Sequence, residues 1–87
     1  MNQPKIKIGD IIYIKQEIFP NKKAIITNQS EKFNIISAIY YKEDKLNYTK
    51  SNIIWDGSNW ELSGSGYPIY NDNHDYRKYI QKLENSK

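Results

Sequence analysis

The chain has no cysteine, so neither a disulfide nor a thiolate metal site can reinforce its core, and nothing in it asks for an oxidising compartment. Histidine is nearly absent too. His74 stands alone, without the paired-histidine spacing a zinc site within one chain would use, and no metal or other cofactor is expected. The opening MNQPKIKIGDIIYIK is broken by lysines and an aspartate. It is neither a secretory apolar region nor a span of roughly 20 apolar residues, which points to a cytoplasmic protein with no membrane partner. Glycine clusters only in Ser63-Gly64-Ser65-Gly66, which lacks the following lysine and the spacing of a phosphate-binding loop. Leucine, valine, methionine and alanine are scarce.

Isoleucine and tyrosine supply the apolar content instead, and both favour strands over helices. With abundant lysine and asparagine and a single arginine, Arg77, the composition is what an AT-rich coding sequence gives. At 87 residues the chain reads as one domain, 1–87, long enough for a single core but with little spare stability expected. The net charge is +3. Its positive part lies in residues 1–50, which could draw an acidic partner or phosphates.

Strand-like runs occupy residues 5–62. In KIKIGDIIYIK, Ile6, Ile8, Ile12 and Ile14 share one parity and Lys5, Lys7, Tyr13 and Lys15 the other, with Gly9-Asp10 as a bend. After a turn at Phe19-Pro20-Asn21-Lys22 comes KKAIITNQ, then FNIISAIYYK and KLNYTK across an even turn centred on Glu43-Asp44. That register sets Tyr41 opposite Leu46 and Ile39 opposite Tyr48, and makes Phe33, Ile35, Ile39, Tyr41, Leu46 and Tyr48 the expected core face. The opposite face, with Ile36, Ala38 and Tyr40, is too apolar to be simply solvated. Even-length turns around Asp56-Gly57 keep Trp55, Trp60, Ile53 and Leu62 together as a core wall rather than an aromatic binding loop. Residues 63–68 read as a linker to an amphipathic helix over about 72–84, capped by Asn71, Asp72 or Asn73. Tyr76, Tyr79, Ile80 and Leu83 form its apolar stripe.

This order gives the expected fold class: mainly β, a small SH3-like curled sheet or barrel of about five strands with one C-terminal α-helix. The opening KIKIGDIIYI, a lysine-rich strand turning through Gly-Asp into isoleucines, resembles the first strand of many SH3-like barrels. Over the same ten or so residues it is similar to the small toxin ribonucleases of plasmid systems. Their activity would require a basic catalytic constellation, whereas Arg77 and His74 both sit in the C-terminal helix region, so the resemblance implies the fold and not the enzyme.

Catalysis has no visible machinery. Asp56 with Glu61, and Glu43 with Asp44, are acids at turns, where solvated surface roles are the rule. The expectation is a non-enzymatic binding module. Its outward candidates are Lys5, Lys7, Tyr13, Lys15, Tyr40, Lys42, Lys45 and Asn47, which interleave rings with cations. A protein partner is the first reading, in the manner of a phage- or mobile-element-type protein that binds a host factor, because tyrosine brings rigid contact area with a polar tip. The alternative is single-stranded nucleic acid, stacked on tyrosines and neutralised by lysines.

Overall fold

Six elements follow one another in the computed structural model, which describes residues 3–16, 20–69 and 74–86. They are β1 (Ile11–Ile14), β2 (Lys22–Ser30), β3 (Ile35–Lys42), β4 (Asn47–Trp55), β5 (Trp60–Ile69) and α1 (Arg77–Asn85). The strands lie in chain order around a closed ring, each antiparallel to the one before. A single parallel pairing of Ile14 with Trp60 closes it. The mainly β architecture with one C-terminal helix is the one the alternation anticipates.

The ring has two apolar layers. Its interior holds Ile12, Ile14, Ala24, Ile26, Ile36, Ala38, Tyr40, Ile53 and Trp60. A second cluster lies outside, where Ile25, Ile39 and Ile69 meet Ile80 and Leu83 of α1. This explains why β2 and β3 carry apolar residues at successive positions rather than alternate ones. Strands covered on both faces have no wet side to keep polar.

The expected core face therefore needs correcting. Of Phe33, Ile35, Ile39, Tyr41, Leu46 and Tyr48, only Ile39 is fully buried, while Phe33 is 66% and Leu46 78% exposed. The opposite face, with Ile36, Ala38 and Tyr40, turns into the ring. Residues that fill a narrow interior are those that fit its curvature, and alternation alone does not say which face that is. The pairing itself differs by two residues, since Tyr41 faces Tyr48 and Ile39 faces Lys50. Leu46 belongs to the turn, at φ +53°. A slip of two preserves the faces.

Three boundaries also move. Gly9, at φ +96°, bends the chain so that β1 begins only at Ile11. Gly9 N donates to Ile26 O at 2.7 Å and Ile26 N to Asp10 O at 2.9 Å, fastening the bend to β2. Ile6 packs against the interior, but Ile8, expected to be buried, is exposed. The NYTK part of KLNYTK and the first arm of the tryptophan hairpin form one continuous strand, β4. Residues 63–68, expected to be a linker, are strand, as β5 runs from Trp60 to Ile69. They hold to β4 through a bulge between Lys50 and Asn52. A Cβ on Gly66 would lie 2.6 Å from Thr49 Cγ2 and 2.7 Å from Lys50 O, so only glycine lets the two strands approach so closely.

Helix α1 starts at Arg77 rather than near residue 72, and the candidate caps Asn71, Asp72 and Asn73 lie outside the described residues. Ile80 and Leu83 are buried, with Tyr76 and Tyr79 packed beside them. Polar contacts hold the helix down. Tyr48 Oη donates to Glu84 Oε1 at 2.7 Å, and Lys50 Nζ donates to Tyr76 Oη at 2.9 Å and sits over its ring. Lys82 reaches Gly9 O, and Lys23 reaches Ser86 O.

Candidate functional site

At one end of the ring Gln16 after β1, the start of β2, the end of β3 with its turn, Tyr48 of β4, Leu62 of β5 and Leu83 of α1 surround an open depression of about 950 Å³. Tyr40, Tyr41, Tyr48, Leu62 and Leu83 give it apolar walls, and Lys22, Lys23 and Lys42 give it positive charge. Glu43 and Asp44, on the β3–β4 turn directly after Lys42, line it as well. The register explains how chain-distant residues meet here. Ile14 pairs with Lys22, Ala24 with Tyr40, Lys42 with Asn47, and Ile14 again with Trp60.

The eight expected site residues divide into three groups. Tyr13, Lys15, Lys42, Lys45 and Asn47 lie toward this end, and of these only Lys42 lines the depression. Tyr13 is exposed on the outer face of β1 beside Lys23, and Lys15 follows it, with its amide donating to Trp60 O at 2.8 Å. Lys42 and Asn47 are half-buried partners at the rim, and Lys45 is exposed in the turn. Lys5 and Lys7 are also exposed, but they lie beyond the Gly9 bend, at the other end of β1. Tyr40 is a correction: it is 4% exposed and belongs to the ring interior, because the face it occupies is the enclosed one. It enters the site as a wall residue and not as a free ring.

Lysines at the depression are held by carbonyls. Lys22 Nζ donates to Tyr41 O at 2.7 Å and Lys23 to Ser86 O, and neither forms an ion pair among the described residues. Tyr41 packs edge-on against Tyr48, with centroids 5.1 Å apart. Burial pushes the Tyr40 phenol above its usual range. The Ser51 hydroxyl acts weakly the other way, and Asp44 adds to the rise. Ser51 Oγ is nonetheless buried without a hydrogen bond of good geometry, so burial dominates. Tyr40 therefore stays a neutral phenol near pH 7, neither a base nor a nucleophile.

Lys22, Lys23, Tyr41 and Leu62 were not expected here. The lysine pair after Pro20-Asn21 was a visible signal for positive charge at a strand start. Leu62 carried none, since its exposure depends on where β5 passes the mouth of the ring. His74 is exposed, and among the described residues no three His, Asp or Glu side chains group as a metal site would require. No helix is long and apolar enough to cross a membrane among those residues. Compared with known proteins, the chain matches no family, no curated protein and no solved structure.

Proposed function

We propose that this protein is a non-enzymatic, cytoplasmic binding module, built as an SH3-like barrel, that holds a protein partner at the open end of its ring. One observation carries the reading: a depression walled by tyrosine and leucine side chains and rimmed by lysines that form no ion pair among the described residues. Concave apolar surface with a few fixed polar groups is the usual form of a ligand site. Tyrosine at the rim suits a protein interface because it adds contact area at small entropic cost.

The test is affinity capture from the native host, with and without nuclease, using the wild type and a Tyr41→Ala/Lys42→Ala variant. A Lys5→Ala/Lys7→Ala variant serves as a control at the other end of β1. Melting of all three establishes that they fold. The reading requires a partner that survives nuclease, is lost with the mouth variant and is kept by the control. Capture that ends with nuclease treatment, or that ignores the mouth variant, refutes it.

A second reading has its own observation. Tyr13 pairs across to Lys23, and the Ala24–Tyr40 register places Tyr41 next in line. A ring, a cation and a ring thus cross three strands on the outer face. Adjacent strands are about 4.8 Å apart, so the two rings stand roughly 10 Å from one another, a spacing that suits stacked bases with a phosphate between. Detectable affinity for a mixed single strand at low salt, lost in Tyr13→Ala, supports this reading; undetectable binding removes it.

A further inference from the structure

Resting on the docking site proposed above, we infer that the partner enters as a short extended polypeptide strand that adds to the free edge of β5 at Leu62. Lysines and acids are interleaved around the depression, so charge does not select its occupant. The direction of the β5 backbone groups does.

Two hydrogen bonds fix that direction. Asp56 N donates to Asn59 O at 3.0 Å, which makes these two residues a hydrogen-bonded pair. Such pairs alternate with non-hydrogen-bonded ones along an antiparallel ladder. In the observed register, Trp55–Trp60 and Ile53–Leu62 are then non-bonded pairs, while Ile54–Glu61 and Asn52–Ser63 are bonded. Trp60 and Leu62 therefore turn their N–H and C=O groups away from β4, toward the β1 side. The Lys15 amide, donating to Trp60 O at 2.8 Å, shows the same orientation independently. Trp60 meets β1 there, but Leu62 does not. The β1 pairing stops at Ile14–Trp60, and Lys15 and Gln16 belong to no strand. Among the described residues no backbone bond reaches Leu62 from that side.

An open strand edge is a row of backbone donors and acceptors, and its complement is another extended backbone. Pro68 marks the same edge, since a proline within a sheet is tolerated where its nitrogen faces the unpaired side. It also limits the ladder. Pro68 brings no donor, and Gly64-Ser65-Gly66 stand opposite Ser51 alone, a bulge that breaks the even row. Long edge-to-edge pairing of two β5 strands is blocked on both counts. What remains is a short ladder centred on Leu62, which suits a partner's segment rather than a second copy. Leu62 is 41% exposed and lines the depression with Tyr40, Tyr48 and Leu83. In an added strand, alternate side chains fall on that face about 4.8 Å from Leu62, so the partner's apolar residues belong at alternate positions.

The test is hydrogen exchange of the β5 amides by NMR, in the free chain and then with a short capped peptide of alternating isoleucine and threonine. The peptide is uncharged, so the lysines play no part. In the free chain Leu62 should exchange at least about tenfold faster than Glu61 and Ser63, whose amides bond to β4. With peptide at about ten times its Kd, Leu62 exchange should slow by about tenfold. The same peptide with methylated backbone nitrogens should not bind. Leu62→Pro removes the edge N–H without removing a bond to β4, and should abolish binding that Leu62→Val keeps. Melting establishes that both variants fold; if Leu62→Pro does not, the methylated peptide decides alone.

A Leu62 amide already protected in the free chain, equal binding of the methylated peptide, or no binding of the parent peptide overturns the inference. Protection that rises with protein concentration alone, with a dimer in sedimentation, overturns it in favour of a second copy. If strand addition fails while nuclease-resistant capture still depends on Tyr41 and Lys42, the docking site stands and only the mode of entry falls. If the peptide protects Leu62 while capture ignores the mouth variant, the strand edge stands and the docking site falls.

Discussion

Trp60 and Trp55 face each other directly across β4 and β5, with ring centroids 5.3 Å apart and planes inclined at 63°. Trp60 is 5% exposed and fills the interior, while Trp55 is half-buried beside it. Trp60→Ala should cost about 3 to 5 kcal/mol and Trp55→Ala distinctly less, measured by urea unfolding. The turn between them depends on Asp56, whose Oδ1 accepts from Asn59 N at 2.6 Å and Ser58 N at 2.7 Å. Those amides hold its carboxyl below the ordinary value of 3.8. A lowered folded value means that the stabilisation is present above the unfolded pKa and is lost as pH falls. The stability gap between wild type and Asp56→Ala should therefore narrow below about pH 4, as unfolding titrations would read.

Tyr48 behaves in the opposite sense. Burial, the bond to Glu84 and the charges of Glu84 and Tyr41 raise its phenol above 10.0. Its contribution is complete below the unfolded value and lost as pH rises beyond it. The Tm of the wild type should therefore fall more steeply above about pH 10 than that of Tyr48→Phe.

Among the elements, β5 shows most clearly how an exceptional residue permits a fold. Gly64 has φ +83° with open space around it, whereas Gly66 is pressed against β4. Gly64→Ala should cost about 1 to 2 kcal/mol of backbone strain. Gly66→Ala should cost about 1 to 3 kcal/mol by overpacking, and only it should shift the amide resonances of Thr49, Lys50 and Ser51. Ser63-Gly64-Ser65-Gly66 looked like a flexible connector because glycine and serine are common in both linkers and bulged strands. Composition cannot tell these apart; the neighbouring strand can. The same limit applies to α1. Its stripe of Tyr76, Tyr79, Ile80 and Leu83 was legible from spacing, and these are the residues that pack. A helix of nine residues is too short to persist alone, so its footing on Ile25, Ile39 and Ile69 was not legible locally. Leu83→Ala should cost about 2 to 5 kcal/mol.

At the scale of the whole molecule, the ring has one thin seam. β1 is four residues long, and its closure onto β5 rests on the Ile14–Trp60 pairing and the Lys15 amide bond to Trp60 O. Hydrogen exchange should find the Lys15 amide among the fastest of the strand-end amides, well ahead of Ile39 at the centre of β3. The depression lies beside this seam, so if a ligand docks there as proposed and bridges β1 and β3, it should slow Lys15 exchange. The placement of the expected residues was partly readable: Lys42 lines the depression and Tyr13, Lys15, Lys45 and Asn47 lie toward the same end without lining it, whereas Tyr40 shares a parity with residues that a closed ring turns inward.

Sequence by itself determined the strand-rich character, the bend at Gly9, the paired tryptophans, the amphipathic stripe of α1 and the lysine excess in residues 1–50. Each follows from local periodicity, turn chemistry or charge, which act over a few residues. Tertiary structure decided which face of each strand is inside, where β5 ends, and which lysines and tyrosines meet at the mouth. Those depend on ring closure and on the helix that covers the outer layer. Both β3 faces are apolar, and period-two alternation assigns residues to faces without saying which face the closed ring will enclose.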